Sequence, residues 1–241
     1  ARAMCATSKC SARLGAFQHR VLSLLPVERA ALELTHDAGM SVVSGRETGT
    51  INREIGAADI VHVHYWNNPE MNELLHSELP VSRILIWFHI AGDRAPQIIT
   101  ENLIDIADFA IPCNPYSYSL PVVQVAAAKA RNPKTAMVYD AADFERLTGL
   151  EPKAHRGFNV GYIGTVDFVK MHPRFVAMSA ALEIPDIRIM VCGGGFEKLL
   201  ELQARQIGAE ERFDFRGYVS DIRSVLEVLD VYGYPLCQDT Y

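Results

Sequence analysis

The chain has 241 residues, of which 49% are hydrophobic, and its formal net charge is −6 at pH 7. This length suits one large domain or two small ones, and the hydrophobic content is enough for a sizeable core. The acidic balance argues against broad binding to duplex nucleic acid, which requires a basic face. No apolar run approaches the roughly 20 residues of a membrane span, and no signal peptide is evident.

The five cysteines are scattered along the chain, and none of them forms a CxxC pair. Neither a zinc site nor a disulfide framework is therefore indicated. This pattern favours a reducing compartment, so we predict a cytoplasmic protein.

The first half of the chain alternates predicted strands and helices. Apolar segments that end in turn residues predict strands at 58–65, 83–90, 108–112 and 135–139. Helices are predicted at 70–79 and 96–107, and Pro26 is expected to kink or break an N-terminal helix within 15–38. Apolar strands separated by short helices are typical of parallel βαβ units that are covered on both faces.

The second half predicts four strands and three crossovers of one doubly wound sheet. The predicted strands are 158–166, 187–192, 213–217 and 230–236, and the predicted helices are 173–182, 196–207 and one capped by Asp221. A polar, turn-bearing segment at 147–156 predicts the linker, which gives domains at 1–150 and 157–241. The chain starts without Met and stops soon after its last predicted strand, so we expect the second domain to be truncated.

A glycine turn in the second half suggests a phosphate site. Residues 161–170 predict a buried strand, a turn at Gly164, and Lys170 near the start of a helix. Such a turn can bring backbone N–H groups, a helix N-terminus and one positive charge to a phosphate. The run Gly193-Gly194-Gly195 suits either close backbone approach to a ligand or an ordinary tight turn. No GxGxxG motif is present, so an NAD-dependent oxidoreductase is disfavoured.

Three histidines follow or lie on the predicted strands of the first half. His62 and His64 are two residues apart and therefore share one strand face. No third ligand is evident, so we predict no metal site there. His89 comes at the end of the apolar run of the strand predicted at 83–90, near the sheet edge where α/β proteins bind ligands.

The order and spacing of these motifs resemble group 1 retaining glycosyltransferases of the GT-B fold. Gly164, Lys170, the glycine run, 215–219 and 230–231 resemble their nucleotide-sugar donor domain. The segments 58–64, 87–89 and 138–144 resemble parts of their N-terminal half. The resemblance implies two Rossmann-like doubly wound domains facing a cleft, with the acceptor bound by the first domain and the donor by the second.

The resemblance also implies roles for individual residues. Lys170 would pair with the donor diphosphate and stabilise the leaving group, and His89 would hydrogen-bond the donor sugar or the developing charge. The donor-binding residues would be Gly164, Thr165, Lys170, Gly193, Gly194, Gly195, Tyr218 and Val219. The acceptor-side residues would be Gly15, Arg20 and His64, with Arg20 on the first helix. No metal or cofactor is implied, because the nucleoside-diphosphate sugar is a co-substrate.

The implied activity is transfer of a hexosyl group from a nucleoside-diphosphate sugar to a sugar, lipid-linked or small-molecule acceptor, with retention. A lipid-linked acceptor would bring peripheral membrane contact, and no nucleic-acid partner is expected. The chain departs from the family at Thr165, where Arg is common, and at Ala141, where Gly is usual. The family's E-x7-E glutamates would lie at or beyond Tyr241. Two alternatives therefore stay open: a non-catalytic nucleotide-sugar-binding protein and a sugar-nucleotide 2-epimerase of the same fold.

Overall fold

The computed structural model describes residues 2–15, 17–66, 68–129, 134–168 and 170–234. These residues form two compact units, one ending at Asp143 and the other beginning at Phe144. Both units are built from parallel β-sheet and α-helix, so the predicted α/β class is confirmed.

The first unit is organised around a three-stranded parallel sheet. The strands of the whole unit are β1 (Arg20–Ser23), β2 (Ser41–Ser44), β3 (Val61–Tyr65), β4 (Ile84–Phe88), β5 (Asp93–Arg94), β6 (Gln97–Ile98) and β7 (Phe109–Pro112). Its helices are α1 (Arg2–Arg13), α2 (Arg29–Asp37), α3 (Thr48–Gly56), α4 (Pro69–Leu75), α5 (Glu101–Ile106), α6 (Pro115–Ser119) and α7 (Pro121–Lys129). The main sheet has the order β3-β4-β7, while β1 pairs with β2 in parallel and β5 with β6 in antiparallel orientation.

Strand alternation separates a core face of this sheet from a second face. Val63, Tyr65, Ile86 and Phe88 point into the main hydrophobic core, where helices α5 and α7 cover them. The opposite face carries histidines and tryptophans near the carboxyl ends of β3 and β4. The polar residues of the first unit that matter for chemistry are therefore placed on one side of the sheet.

The N-terminal region differs from the prediction. Residues 15–38 do not form one interrupted helix, because Arg20 begins strand β1 and helix α2 starts only at Arg29. Pro26 lies in the loop between them, where its fixed φ and missing N–H are tolerated. Arg20 therefore lies on a strand, and its guanidinium forms an ion pair with Glu54 at 3.0 Å.

The other predicted elements of the first unit are also shorter than expected, two of them markedly. Helix α5 begins after Thr100, whose side chain accepts the N–H of Leu103, and the residues before it form the β5–β6 pair. The predicted strand at 135–139 is reduced to an isolated bridge between Thr135 and Ala110.

The second unit contains one four-stranded parallel sheet. Its elements are β8 (Phe158–Ile163), α8 (Phe175–Ala180), β9 (Ile187–Cys192), α9 (Glu197–Gln206), β10 (Phe213–Gly217), α10 (Arg223–Leu226) and β11 (Val231–Tyr232). The strand order β10-β9-β8-β11 places the first strand of the unit in the interior, as in a doubly wound sheet. The four predicted strands are thus confirmed, although β8 ends at Ile163 and β11 spans only Val231–Tyr232, while residues 235–236 of the predicted last strand lie outside the described residues.

The segment predicted as a linker is hydrogen-bonded to the second unit. The guanidinium of Arg223 donates to the carbonyls of Thr148, at 3.0 Å, and of Gly149. The backbone N–H of Lys153 donates to Glu227 at 2.6 Å, and the two side chains form an ion pair at 2.5 Å. Helix α10 therefore holds this segment against its own unit, and Asp221 supports the helix start by accepting the Arg223 N–H at 3.0 Å.

Candidate functional site

The loops after β8, β9 and β10 meet at the carboxyl edge of the second sheet. The N–H of Gly164 donates to Cys192 at 2.9 Å, and the N–H of Val166 donates to Gly194 at 3.1 Å. The N–H of Gly193 donates to the carbonyl of Gly217 at 2.6 Å. The structure therefore brings together three of the loops that the sequence predicts to bind the donor.

Backbone crowding explains why two of the three consecutive positions 193–195 require glycine. A Cβ atom at Gly193 would contact the carbonyl oxygen of Gly164, and one at Gly195 would contact the carbonyl oxygen of Val166. Gly195 also has a φ of 136°, which an L side chain rarely adopts. Gly194, by contrast, is exposed, and no atom lies within 4 Å of the place that a Cβ would take there. Packing thus requires glycine at 193 and 195 but leaves Gly194 free to face a ligand.

Lys170 lies in an exposed turn beside these loops. Its N–H donates to the carbonyl of Asp167 at 3.1 Å, and helix α8 starts only at Phe175, so Lys170 precedes the helix by several residues. Phe168 stacks on Phe196 with ring centroids 5.7 Å apart, which ties this turn to the beginning of α9. Among the described residues, the Lys170 ammonium has no ion-pair partner.

The remaining predicted donor residues differ in what they can offer. Thr165 is exposed, and its carbonyl accepts the hydroxyl of Tyr162 at 2.6 Å, which leaves its side chain at the surface. Tyr218 follows β10 and is 73% exposed. Val219 is half-buried and packs against a small cluster that contains Met190, so its side chain is partly taken up by this packing.

The first unit holds a chain of hydrogen bonds from Asp140 through two histidines. Asp140 Oδ1 lies 2.6 Å from Nδ1 of His89, and Nε2 of His89 lies 2.9 Å from Nδ1 of His64. The His89 side chain is 0% exposed, so both its nitrogens are occupied and its ring is covered. Of these two histidines, only His64 is placed to meet a ligand directly. The sequence predicts no role for Asp140, although it lies within the 138–144 segment that carries part of the resemblance.

Two tryptophans enclose the histidines. Trp66 stacks on His89 with ring centroids 4.6 Å apart and an interplanar angle of 10°, and it is 51% exposed. Trp87 is buried, and its indole N–H donates to the carbonyl of Val138 at 3.1 Å. The ring of His62 lies 4.4 Å from that of His64.

The histidines on β3 are held neutral. Desolvation, followed by the neighbouring His89 and His19, lowers the pKa of His62 to about 4. Desolvation, followed by His62 and His89, lowers the pKa of His64 to about 3. Because burial and nearby imidazoles both disfavour the charged form, these rings act as neutral hydrogen-bonding groups near pH 7.

We predict that acid destabilises the first unit through these histidines. Because the pKa of these histidines is lower in the folded than in the unfolded chain, unfolding takes up protons. Their contribution to the free energy of unfolding is therefore complete above the usual pKa near 6.5 and decreases as the pH falls below it. Each such histidine changes the free energy of unfolding by at most about 1.4 kcal/mol per pH unit. The change due to His62 is smaller, because solvent screens its exposed ring.

Urea unfolding followed by tryptophan fluorescence at pH 5 and pH 7 measures this effect, because both tryptophans lie in the first unit. A His62→Gln, His64→Gln double variant is expected to show a flatter pH dependence than the unchanged chain. An equal loss of stability in both proteins would contradict the assignment.

The other two acceptor-side residues have structural roles in this unit. Gly15 follows helix α1 with a φ of 67°, and its N–H donates to Ala12 at 3.0 Å, which ends the helix. Arg20 is engaged by Glu54, as described above. The structure therefore brings neither residue to the histidine cluster by any described contact.

Two further findings concern metals and membranes. Within the described ranges, no group of three His, Cys, Asp or Glu side chains is arranged to hold a metal ion. No helix in the part of the chain that the structure describes has the length and apolar character needed to cross a bilayer.

Comparisons with known proteins give a fold but no sequence family. No family profile and no curated protein sequence matches the chain. Among solved structures, HepE from Anabaena in complex with UDP superposes with a TM-score of 0.67 and 13% identity, covering 98% of this chain and 71% of HepE. HepE in complex with UDP and glucose gives a TM-score of 0.68, 14% identity, and coverages of 96% and 70%. A glycosyltransferase from Rickettsia africae gives a TM-score of 0.66, 12% identity, and coverages of 95% and 68%.

These similarities show that the chain has the fold of GT-B glycosyltransferases, as the order of its motifs predicted. The parallel sheets of both units agree with that fold. At this level of identity the comparison establishes architecture, and the chemistry has to be argued from the sites themselves.

Proposed function

We propose that the chain is a glycosyltransferase that moves a hexosyl group from a nucleoside-diphosphate sugar to a sugar, lipid-linked or small-molecule acceptor with retention. The observation that carries this proposal is the meeting of three loops at the carboxyl edge of the β10-β9-β8-β11 sheet, beside Lys170, whose ammonium has no ion-pair partner within the described ranges. The presence of UDP, and of UDP with glucose, in the HepE structures supports a uridine diphosphate sugar as donor.

The donor diphosphate would bind across the glycine loops. The half-buried backbone at Gly164 and the exposed backbone at Gly194 carry no side chain that would keep phosphate oxygens away, and the hydroxyl of Thr165 adds a neutral donor. Lys170 would place its ammonium on the diphosphate and stabilise the charge that develops as the sugar departs. The exposed ring of Tyr218 would border the nucleobase, together with the backbone of Val219.

Retention would follow from attack on the same face that the leaving group departs from. The bond between the anomeric carbon and the diphosphate oxygen breaks, the acceptor hydroxyl oxygen forms the new bond, and its proton passes to the departing phosphate oxygen. This proton transfer requires no protein base, which agrees with the neutral, weakly basic His62 and His64. The glutamates implied by the resemblance lie outside the described residues, so no step is assigned to them.

Incubation of the full chain with UDP-glucose and glucose, followed by proton NMR of the products, tests this proposal. A new α-linked product from the α-configured donor is expected, and a β-linked product would contradict retention. Conversion of the UDP-sugar to its 2-epimer without an acceptor would identify the epimerase instead. Tight UDP binding without any turnover would support the non-catalytic alternative.

A further inference from the structure

The chain of hydrogen bonds from Asp140 to His64 determines where its protons lie. A carboxylate only accepts hydrogen bonds, so the contact of 2.6 Å with Asp140 requires a proton on Nδ1 of His89. When His89 carries this one proton alone, its Nε2 has a lone pair, and the contact of 2.9 Å with Nδ1 of His64 then requires the proton on His64. The two rings are parallel to within 6°, which allows an in-plane hydrogen bond between these nitrogens.

This arrangement of protons leaves Nε2 of His64 without a proton. His64 is neutral, because its pKa is lowered to about 3 by desolvation and the adjacent histidines, so it carries a single N–H. That proton is on Nδ1, and Nε2 is therefore a hydrogen-bond acceptor. Among the described residues Nε2 of His64 has no hydrogen-bond partner, and His64 is half-buried rather than fully enclosed.

The surroundings of this nitrogen suit a neutral ligand rich in hydroxyl groups. Trp66 stacks on His89, the ring to which His64 is hydrogen-bonded, and it is 51% exposed, so an exposed aromatic surface lies one ring away from His64. His62 is exposed and neutral on the same strand face. Aromatic surface combined with a few oriented polar groups is typical of small-molecule sites, and a neutral acceptor nitrogen complements a hydroxyl donor.

We propose that Asp140, acting through His89, holds His64 in the tautomer whose Nε2 accepts a hydrogen bond from a hydroxyl group of the acceptor sugar. His64 contacts the ligand, and Asp140 and His89 are positioning residues. The proposal deepens the proposed function and rests on it for the identity of the ligand as an acceptor, whereas the tautomer itself can be tested without any substrate.

Nitrogen-15 NMR of the imidazoles in the full, labelled chain tests the tautomer at neutral pH. Two-bond proton–nitrogen correlations distinguish protonation at Nδ1 from protonation at Nε2. We expect both His64 and His89 to be protonated at Nδ1. Protonation of His64 at Nε2 in the unchanged chain would overturn the proposal.

The Asp140→Ala variant separates positioning from a merely structural role. Without the carboxylate, His89 is expected to move its proton to Nε2 and to donate to His64, which then becomes protonated at its own Nε2. Asp143→Ala is the matched control, because Asp143 is close in sequence but pairs with Lys9 at 2.9 Å. A His64 tautomer that is the same in Asp140→Ala and in the unchanged chain would overturn the proposal.

Titration with glucose tests the ligand. The Nε2 resonance of His64 is expected to shift toward lower frequency as it accepts the hydroxyl, and this shift should be lost in Asp140→Ala but kept in Asp143→Ala. An unchanged Nε2 resonance at saturating glucose would overturn the acceptor role of His64. Binding of UDP, followed in the same samples, reports separately on the proposed function, because the glycine loops lie in the other unit.

Discussion

Replacing Lys170 with Ala is expected to lower the kcat/KM for sugar transfer by about 10²–10³-fold, the range observed when one group that stabilises transition-state charge is removed. The Lys170 side chain is exposed and its ammonium has no ion-pair partner among the described residues, so its loss should leave stability nearly unchanged. Most of the effect should appear in kcat, because the diphosphate gains negative charge only as the bond to the sugar breaks.

Arg205→Ala is a suitable control for this substitution. Arg205 is exposed in the last turn of α9, at the end of the helix that lies away from the glycine run, so its replacement removes the same charge from the same unit. We expect its kcat/KM to stay within about twofold of the unchanged chain, since distant surface charges contribute little. Equal losses in the two variants would show that only net charge matters and would contradict the role of Lys170.

Replacing Gly193 with Ala is expected to destabilise the second unit by about 2–4 kcal/mol, whereas Gly194→Ala should change its stability by less than about 0.5 kcal/mol. The added methyl group at 193 would meet the carbonyl oxygen of Gly164, and the two loops would have to separate. At 194 nothing lies within 4 Å of the added atom. The two glycines are adjacent, so they form a closely matched pair.

Hydrogen exchange measured by mass spectrometry reads this difference locally. The tryptophans lie in the first unit and do not report on the second, whereas peptides covering β8, β9 and β10 do. Faster exchange in these peptides is expected for Gly193→Ala alone. Similar exchange in the two variants would contradict the close backbone approach described for the glycine run.

Much of the second unit could be predicted from the sequence because its strands are short, apolar and separated by turn residues. Strands β9 and β10 have the predicted bounds, since Ile187–Cys192 and Phe213–Gly217 are bounded by charged or glycine-containing turns. The N-terminal region was predicted less well. Arg20–Ser23 is too short for a periodic pattern, and only its pairing with β2 makes it a strand.

The candidate site was partly predictable, because some of its residues form a pattern along the chain. Glycines and a lysine in a particular order could be recognised along the chain, and the structure brings the glycine loops together as expected. The link from Asp140 to His89 joins residues 51 positions apart, and sequence spacing does not indicate which carboxylate a histidine will contact. The partial burial of Val219 likewise depends on tertiary packing against the cluster of Met190 and Val225.

Calorimetric titration of the full chain with UDP, GDP and ADP tests the central claim most directly. We predict saturable binding of UDP at one site, weaker binding in Lys170→Ala, and unchanged binding in Arg205→Ala. Absence of binding by all three nucleotides, in a chain whose hydrogen exchange shows a folded second unit, would contradict the donor site and the proposed transferase activity.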